Sequence, residues 1–126
     1  MQKTATSSLV KFAAIVALAV ASLTACAPAN KIDLSTVAAV IDVRTPEEFA
    51  AGHLQGAVNM NVEGAEWLIQ VESLDKAADY VIYCHSGRRA GLAIDYMTQD
   101  GFTGALTNAG GIADATNSLG LPIVTG

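Results

Sequence analysis

Two segments, VAAVIDVR (37–44) and DYVIYC (79–84), constrain this chain more than anything else in it. Both are rich in β-branched and apolar residues, and neither alternates with polar ones. A strand with one face in water alternates, whereas a strand covered on both faces does not. Covering both faces takes helices on both sides of a sheet, which is the arrangement of parallel α/β folds. The intervening segments supply those helices. TPEEFAAG (45–52) offers Thr45 as a cap, Pro46 at the first helical position, Glu48 to close a capping box and Gly52 as a stop. GAEWLIQVESL (64–74) puts Trp67, Val71 and Leu74 on one helical face. RRAGLAIDYMTQDG (88–101) puts Leu92, Tyr96 and Met97 at core spacing and stops at Gly101. GAVNM (56–60) and GALTNAGG (104–111) read as short strands, and ADATNSLG (113–120) as a last helix. The expected class is α/β, with a central, mostly parallel sheet flanked by helices in a single domain.

The N-terminus belongs to a different category. MQKTATSSLVK carries Lys3 and Lys11 and no acid, and FAAIVALAVASLTA then runs 14 residues without a charge. That is a basic segment followed by an apolar one too short to span a bilayer comfortably, so it reads as a secretory signal. It also accounts for much of the 52% hydrophobic content. LTAC (23–26) resembles a bacterial lipobox. The resemblance implies cleavage before Cys26, lipid on Cys26, and a chain exported and held on the cell envelope by its acyl groups. Ala27, rather than Asp, at the next position implies the outer membrane in a Gram-negative envelope, facing the periplasm. Residues 1–25 are then signal peptide and 26–33 a lipidated tether.

Without Lys3 and Lys11, five basic residues face twelve acidic ones. An acidic surface argues against nucleic acid and against electrostatic docking on anionic lipid. It also makes the pair Arg88–Arg89 conspicuous as a local positive cluster. With Cys26 taken by lipid, Cys84 is left without a partner for an intramolecular disulfide. In an oxidising compartment a lone cysteine is either buried and inert or kept for its reactivity.

YCHSGRRAG (83–91) favours reactivity. In parallel α/β sheets, active sites form at the carboxyl ends of strands, and Cys84 ends one. Gly87 can take a positive φ and let the loop wrap the sulfur. Successive N–H groups in such a loop form an anion nest, the following helix start adds positive potential, and Arg88 and Arg89 add formal charge. All three effects favour thiolate over thiol, and an anionic substrate. Phosphate and arsenate chemistry uses a loop that runs from Cys to an Arg six positions on, but Ala90 stands there and Arg89 is only five on. The shorter loop suits one extra sulfur atom.

These segments carry a resemblance. IDVRTPEEFAAGHLQGAVN (41–59), YCHSGRRA (83–90), GF (101–102), NAGG (108–111) and GLP (120–122) resemble a single-domain rhodanese, a thiosulfate:acceptor sulfurtransferase. The similarity is greatest to the short exported rhodaneses of the phage shock protein E type. It implies a rhodanese-like fold over 34–126. It further implies catalysis through a Cys84 persulfide that takes sulfane sulfur from thiosulfate and passes it to cyanide or a thiol. The implied substrate loop is His85, Ser86, Gly87, Arg88 and Arg89, with Arg88 or Arg89 orienting the oxyanion end of the donor. Asp42 and Arg44 are expected to support the loop region, with Arg44 paired to Glu48 and Asp42 helping to hold the active-site loop. No metal, no cofactor and no nucleic acid is implied; the chain is expected to act as a monomer, with the membrane as partner through Cys26. A short opening and the lack of a bulky aromatic in the last helix imply a smaller core and a more open site. His53 reads as a structural loop histidine and Trp67 as core. Two alternatives remain at this point: a persulfide carrier for one protein partner, and a Cys-based phosphatase or arsenate reductase.

Overall fold

A computed structural model describes residues 31–126. The signal sequence, Cys26 and most of the tether lie outside the described residues. The chain forms β1 (Val37–Asp42), α1 (Pro46–Ala51), β2 (His53–Leu54), β3 (Val58–Asn59), α2 (Trp67–Glu72), β4 (Asp79–Cys84), α3 (Arg88–Gln99), β5 (Leu106–Gly111), α4 (Ile112–Leu119) and β6 (Ile123–Val124). Four strands make one sheet in the order β3-β1-β4-β5, and every pairing in it is parallel.

The two continuous apolar runs are the two central strands, as their lack of alternation predicts. Along β4, Ile82 and Cys84 join a core with Trp67 and Val71 of α2 and Ala93 and Met97 of α3. Val81 and Tyr83 point the other way, into a core with Leu54, Ala115 and Leu119. Successive side chains thus serve opposite layers, and both layers demand apolar residues. The capping box at Thr45 and Glu48 forms, with Pro46 opening α1 and Gly52 ending it.

Three features differ from the sequence expectation. On α3 the buried stripe is Ala90, Ala93 and Met97, while Leu92 is 47% exposed. Leu92 lies one turn after the exposed Arg88, on the same outer face, and the small alanines bring the helix close to the sheet. A two-stranded antiparallel ribbon pairs His53 and Leu54 with Val124 and Ile123. Strands of two residues carry no readable period, so the sequence gives no sign of them. The folded part also takes in residues assigned to the tether. Ile32 N–H donates to the Ser118 carbonyl at 2.9 Å, Lys31 Nζ donates to the Asn117 carbonyl, and Ile32 packs on the core under α4.

These positions predict opposite outcomes for two truncations on one helix. Met97→Ala should cost about 2–5 kcal/mol, since it opens a cavity in a closed core. Leu92→Ala should stay within about 1 kcal/mol. Urea unfolding of the two variants beside the parent reads the difference.

Candidate active site

The site is built at the carboxyl edge of the parallel sheet. β4 is paired on both sides and ends at Cys84, a fully buried free thiol. Four residues later α3 begins. The turn between them depends on Gly87, whose φ of 95° lies in the left-handed region that other residues enter at a cost. There its N–H turns back and donates to Cys84 Sγ at 2.9 Å. His85 and Ser86 are exposed on the outer side of the loop. The sulfur is therefore capped by its own loop, and the site is more enclosed than the short N-terminal segment implies.

The far side of the loop is supported by β5. Cys84 is in register with Gly111. A Cβ on Gly111 would collide with the His85 carbonyl, so only glycine lets the two backbones pass. Asn108 ties the same corner: its Nδ2 donates to the Gly87 carbonyl at 3.1 Å, and its Oδ1 accepts from Gly110 N–H at 2.8 Å. In the sequence NAGG reads as the end of a strand and as part of the resemblance, not as part of the site. The signal that could have placed it in the site is a polar residue followed by paired glycines at the end of a strand neighbouring the cysteine strand.

The two arginines divide. Arg89 Nη1 and Nη2 donate to the two carboxylate oxygens of Glu48 at 2.7 and 3.0 Å, a bidentate pair that joins the first turn of α3 to the first turn of α1. Glu48 also accepts from the backbone N–H and the hydroxyl of Thr45. The hydrogen bond from Arg89, chiefly, and the bond from Thr45 hold the Glu48 carboxyl down at about 2, against burial, which acts the other way. The same bond to Glu48, with the charge of Cys84 adding to it, holds Arg89 above its ordinary value. Arg88 is 71% exposed and meets Glu63 only at 3.7 Å.

These pairings correct the expectation that Arg44 pairs with Glu48. The partner of Arg44 is Asp42: its Nε donates to both oxygens at 3.0 and 3.1 Å and its Nη2 to one at 2.7 Å. Arg44 Nη2 also donates to the Gly52 carbonyl. Two residues apart at the end of one strand, Asp42 and Arg44 reach each other without crossing any loop, which leaves Glu48 free for Arg89. Burial pulls Arg44 down, but the bonds and charge of Asp42 outweigh it and raise the guanidinium above its usual range. The guanidinium lies 5.8 Å from the Tyr83 ring centroid, and the Tyr83 hydroxyl accepts from Leu54 N–H. Burial is the main cause that pushes the Tyr83 phenol up. Asp42 and Arg44 thus fasten β1 to the corner after α1. Their bonds do not run to the Cys84 loop, so Asp42 does not hold that loop. His53 stacks on Phe49 with ring centroids 3.6 Å apart and bonds the Phe49 carbonyl through Nδ1, a structural position. Trp67 is core.

The Glu48–Arg89 pair makes a pH prediction. Glu48 titrates lower in the folded chain than in the unfolded one, so its stabilisation is full above about pH 4.5 and fades as pH falls toward about 2. Its side chains are partly exposed, which limits the pair to about 1 kcal/mol. Glu48→Gln should lose that amount at neutral pH, and the gap to the parent should close in strong acid. Urea unfolding across a pH series measures it.

This geometry has relatives. A family model described as Rhodanese-like domain matches residues 28–118. The chain is 35% identical over 86 residues to Thiosulfate sulfurtransferase PspE of Escherichia coli, covering 68% of this chain and 78% of that protein. It is 38% identical over 85 residues to a sulfurtransferase of Allochromatium vinosum, covering 68% of this chain and 77% of that one. Among solved structures, a rhodanese with anions from E. coli aligns at a TM-score of 0.58 and 34% identity, over 70% of this chain and 98% of that chain. With the match spanning most of the folded residues and thiosulfate sulfurtransferases among its relatives, this chain belongs to the rhodanese-like family and is a sulfurtransferase enzyme.

Proposed function

We propose that Cys84 is the nucleophile of a thiosulfate:acceptor sulfurtransferase that works through a persulfide. The observation that carries this reading is the bond from Gly87 N–H to Cys84 Sγ, in a loop where Ala90 stands six positions after the cysteine. That donor is aimed at the sulfur and holds it in place, and the thiolate form of a cysteine attacks sulfur. Cys84 attacks the outer sulfur of thiosulfate, the S–S bond of the donor breaks, and sulfite leaves with the bonding pair. The outer sulfur of the resulting persulfide then passes to cyanide or to a thiol, and the Cys84 thiolate returns. No external oxidant or reductant is consumed.

Arg88 orients the donor. Arg89 is engaged by both oxygens of Glu48, whereas Arg88 is exposed and only loosely met by Glu63. A guanidinium in that state can receive the sulfonate end of thiosulfate. The solved E. coli relative is described with anions, which accords with an anionic donor. The phosphatase reading loses support because Ala90, where its arginine would stand, is fully buried inside α3.

The signal sequence and the Cys26 lipobox support an exported chain held on the envelope by lipid. Among the described residues no helix is long and apolar enough to cross a membrane, so attachment rests on Cys26 in this reading. The first described residues join the fold beside α4, on the layer opposite α2 and α3.

Two measurements test the chemistry. Cys84→Ser should bring thiocyanate formation from thiosulfate and cyanide to the uncatalysed rate, and should remove the one-sulfur mass adduct that thiosulfate leaves on the parent. A Ser variant as active as the parent would refute the mechanism. Arg88→Ala should raise the KM for thiosulfate about fivefold with kcat little changed, as loss of one partly solvated charge contact does. A thiosulfate titration at fixed ionic strength reads it.

A further inference from the structure

One side chain that the sulfur chemistry leaves unused ties the Cys84 loop to the neighbouring strand. Asn108 lies on β5, the strand that flanks β4 at the edge of the sheet. Gly87 and Gly110 pass closely there: a Cβ on Gly87 would stand 3.3 Å from Gly110 Cα. The Asn108 amide takes one backbone group from each of these glycines. Its Oδ1 accepts from Gly110 N–H at 2.8 Å, and its Nδ2 donates to the Gly87 carbonyl at 3.1 Å. The two bonds fix which way the amide faces, because an N–H needs an acceptor and a carbonyl needs a donor. The Gly87 carbonyl also accepts the first bond of α3, from Gly91 N–H at 3.0 Å. Gly87 is therefore gripped at its carbonyl by both the helix start and β5, while its N–H grips Cys84 Sγ.

Asn108 is exposed, so its bonds close no core. What they govern is the place of the sulfur. A glycine at a φ of 95° is the most permissive point of the loop, and the peptide planes on either side of it turn easily unless they are held. Among the described residues, the Gly87 N–H makes the one hydrogen bond to Sγ. If that plane turns, the sulfur loses its aim. We infer that Asn108 is a positioning residue for Cys84, acting through Gly87 to keep Sγ on its line of attack. The inference rests on the persulfide reading above. In the step it serves, Sγ attacks the outer sulfur of thiosulfate and a new S–S bond forms on Cys84. The S–S bond of the donor breaks, and sulfite leaves with the bonding pair. An amide suits both backbone groups at once. A carboxylate would still accept from Gly110 N–H but would turn an oxygen toward the Gly87 carbonyl, and alanine would give up both bonds.

The test is rapid mixing of full-length protein with excess thiosulfate and no acceptor, following the burst of sulfite. Its rate saturates with thiosulfate and yields a maximal rate and a half-saturating concentration. Asn108→Ala should lower the maximal rate about tenfold and leave the half-saturating concentration within about twofold, the reverse of the split expected for Arg88→Ala. Asn108→Asp should lose at least as much, although it keeps the acceptor for Gly110. Both variants should retain the far-ultraviolet circular dichroism of the parent. If Asn108→Asp reacts at the parent rate, the side chain serves only the Gly110 turn and the inference falls. It also falls if the half-saturating concentration moves in place of the maximal rate, since Asn108 would then act on the donor, or if both variants lose the parent's dichroism. Those outcomes leave the persulfide mechanism standing. If Cys84 of the parent gains no sulfur from thiosulfate, both fall.

Discussion

The parallel pairing of β4 on both of its edges is the constraint on which the rest of this structure depends. It forces β4 to be apolar toward both layers, and it fixes the place where the strand ends. Cys84 comes to rest opposite Gly111 on one side, while the preceding Tyr83 lies opposite Asp42 on the other. The loop that follows has little freedom. It is pressed against β5 closely enough that Gly111 can carry no Cβ, and Asn108 holds the Gly87 carbonyl. Packing thus turns a flexible Gly-containing loop into a rigid cap over one sulfur atom, the preorganisation that a reactive group needs.

The charges are arranged by proximity. Asp42 and Arg44 satisfy each other at the end of β1, buried and bidentate, so neither charge is left without a partner. Glu48, already tied to Thr45 by the capping box, then meets Arg89 across the mouth of the site. One local device, the cap of a six-residue helix, therefore also positions the start of the helix behind the reactive loop. The pairing engages both ends of the Arg89 guanidinium and leaves Arg88 outermost.

The fold was largely legible in the residues. β1 and β4 announced themselves by lack of alternation, α1 by Thr45, Pro46, Glu48 and Gly52, and β4 was bounded at both ends. The errors have physical causes. Leu92 has the right spacing for the core, but Arg88 one turn earlier sets that face toward water. The β2–β6 ribbon is too short to show a period and depends on residues far apart in the chain. In the site, Cys84, Gly87 and the two arginines were readable because they are contiguous. Asn108 and Glu48 were not recognised as parts of it, since each acts on the loop from another segment.

By itself, then, the sequence determined the layered parallel architecture, the thiol at the end of a central strand and the short glycine-containing loop that follows it. These follow from local periodicity, turn chemistry and spacing within a few residues. The tertiary structure alone decided which acid each arginine meets, and that Gly111 must be bare to let the His85 backbone pass. Those are contacts between distant segments. In one dimension Glu48 was the expected partner of Arg44, and only the geometry of strand ends and helix starts gives it Asp42 instead.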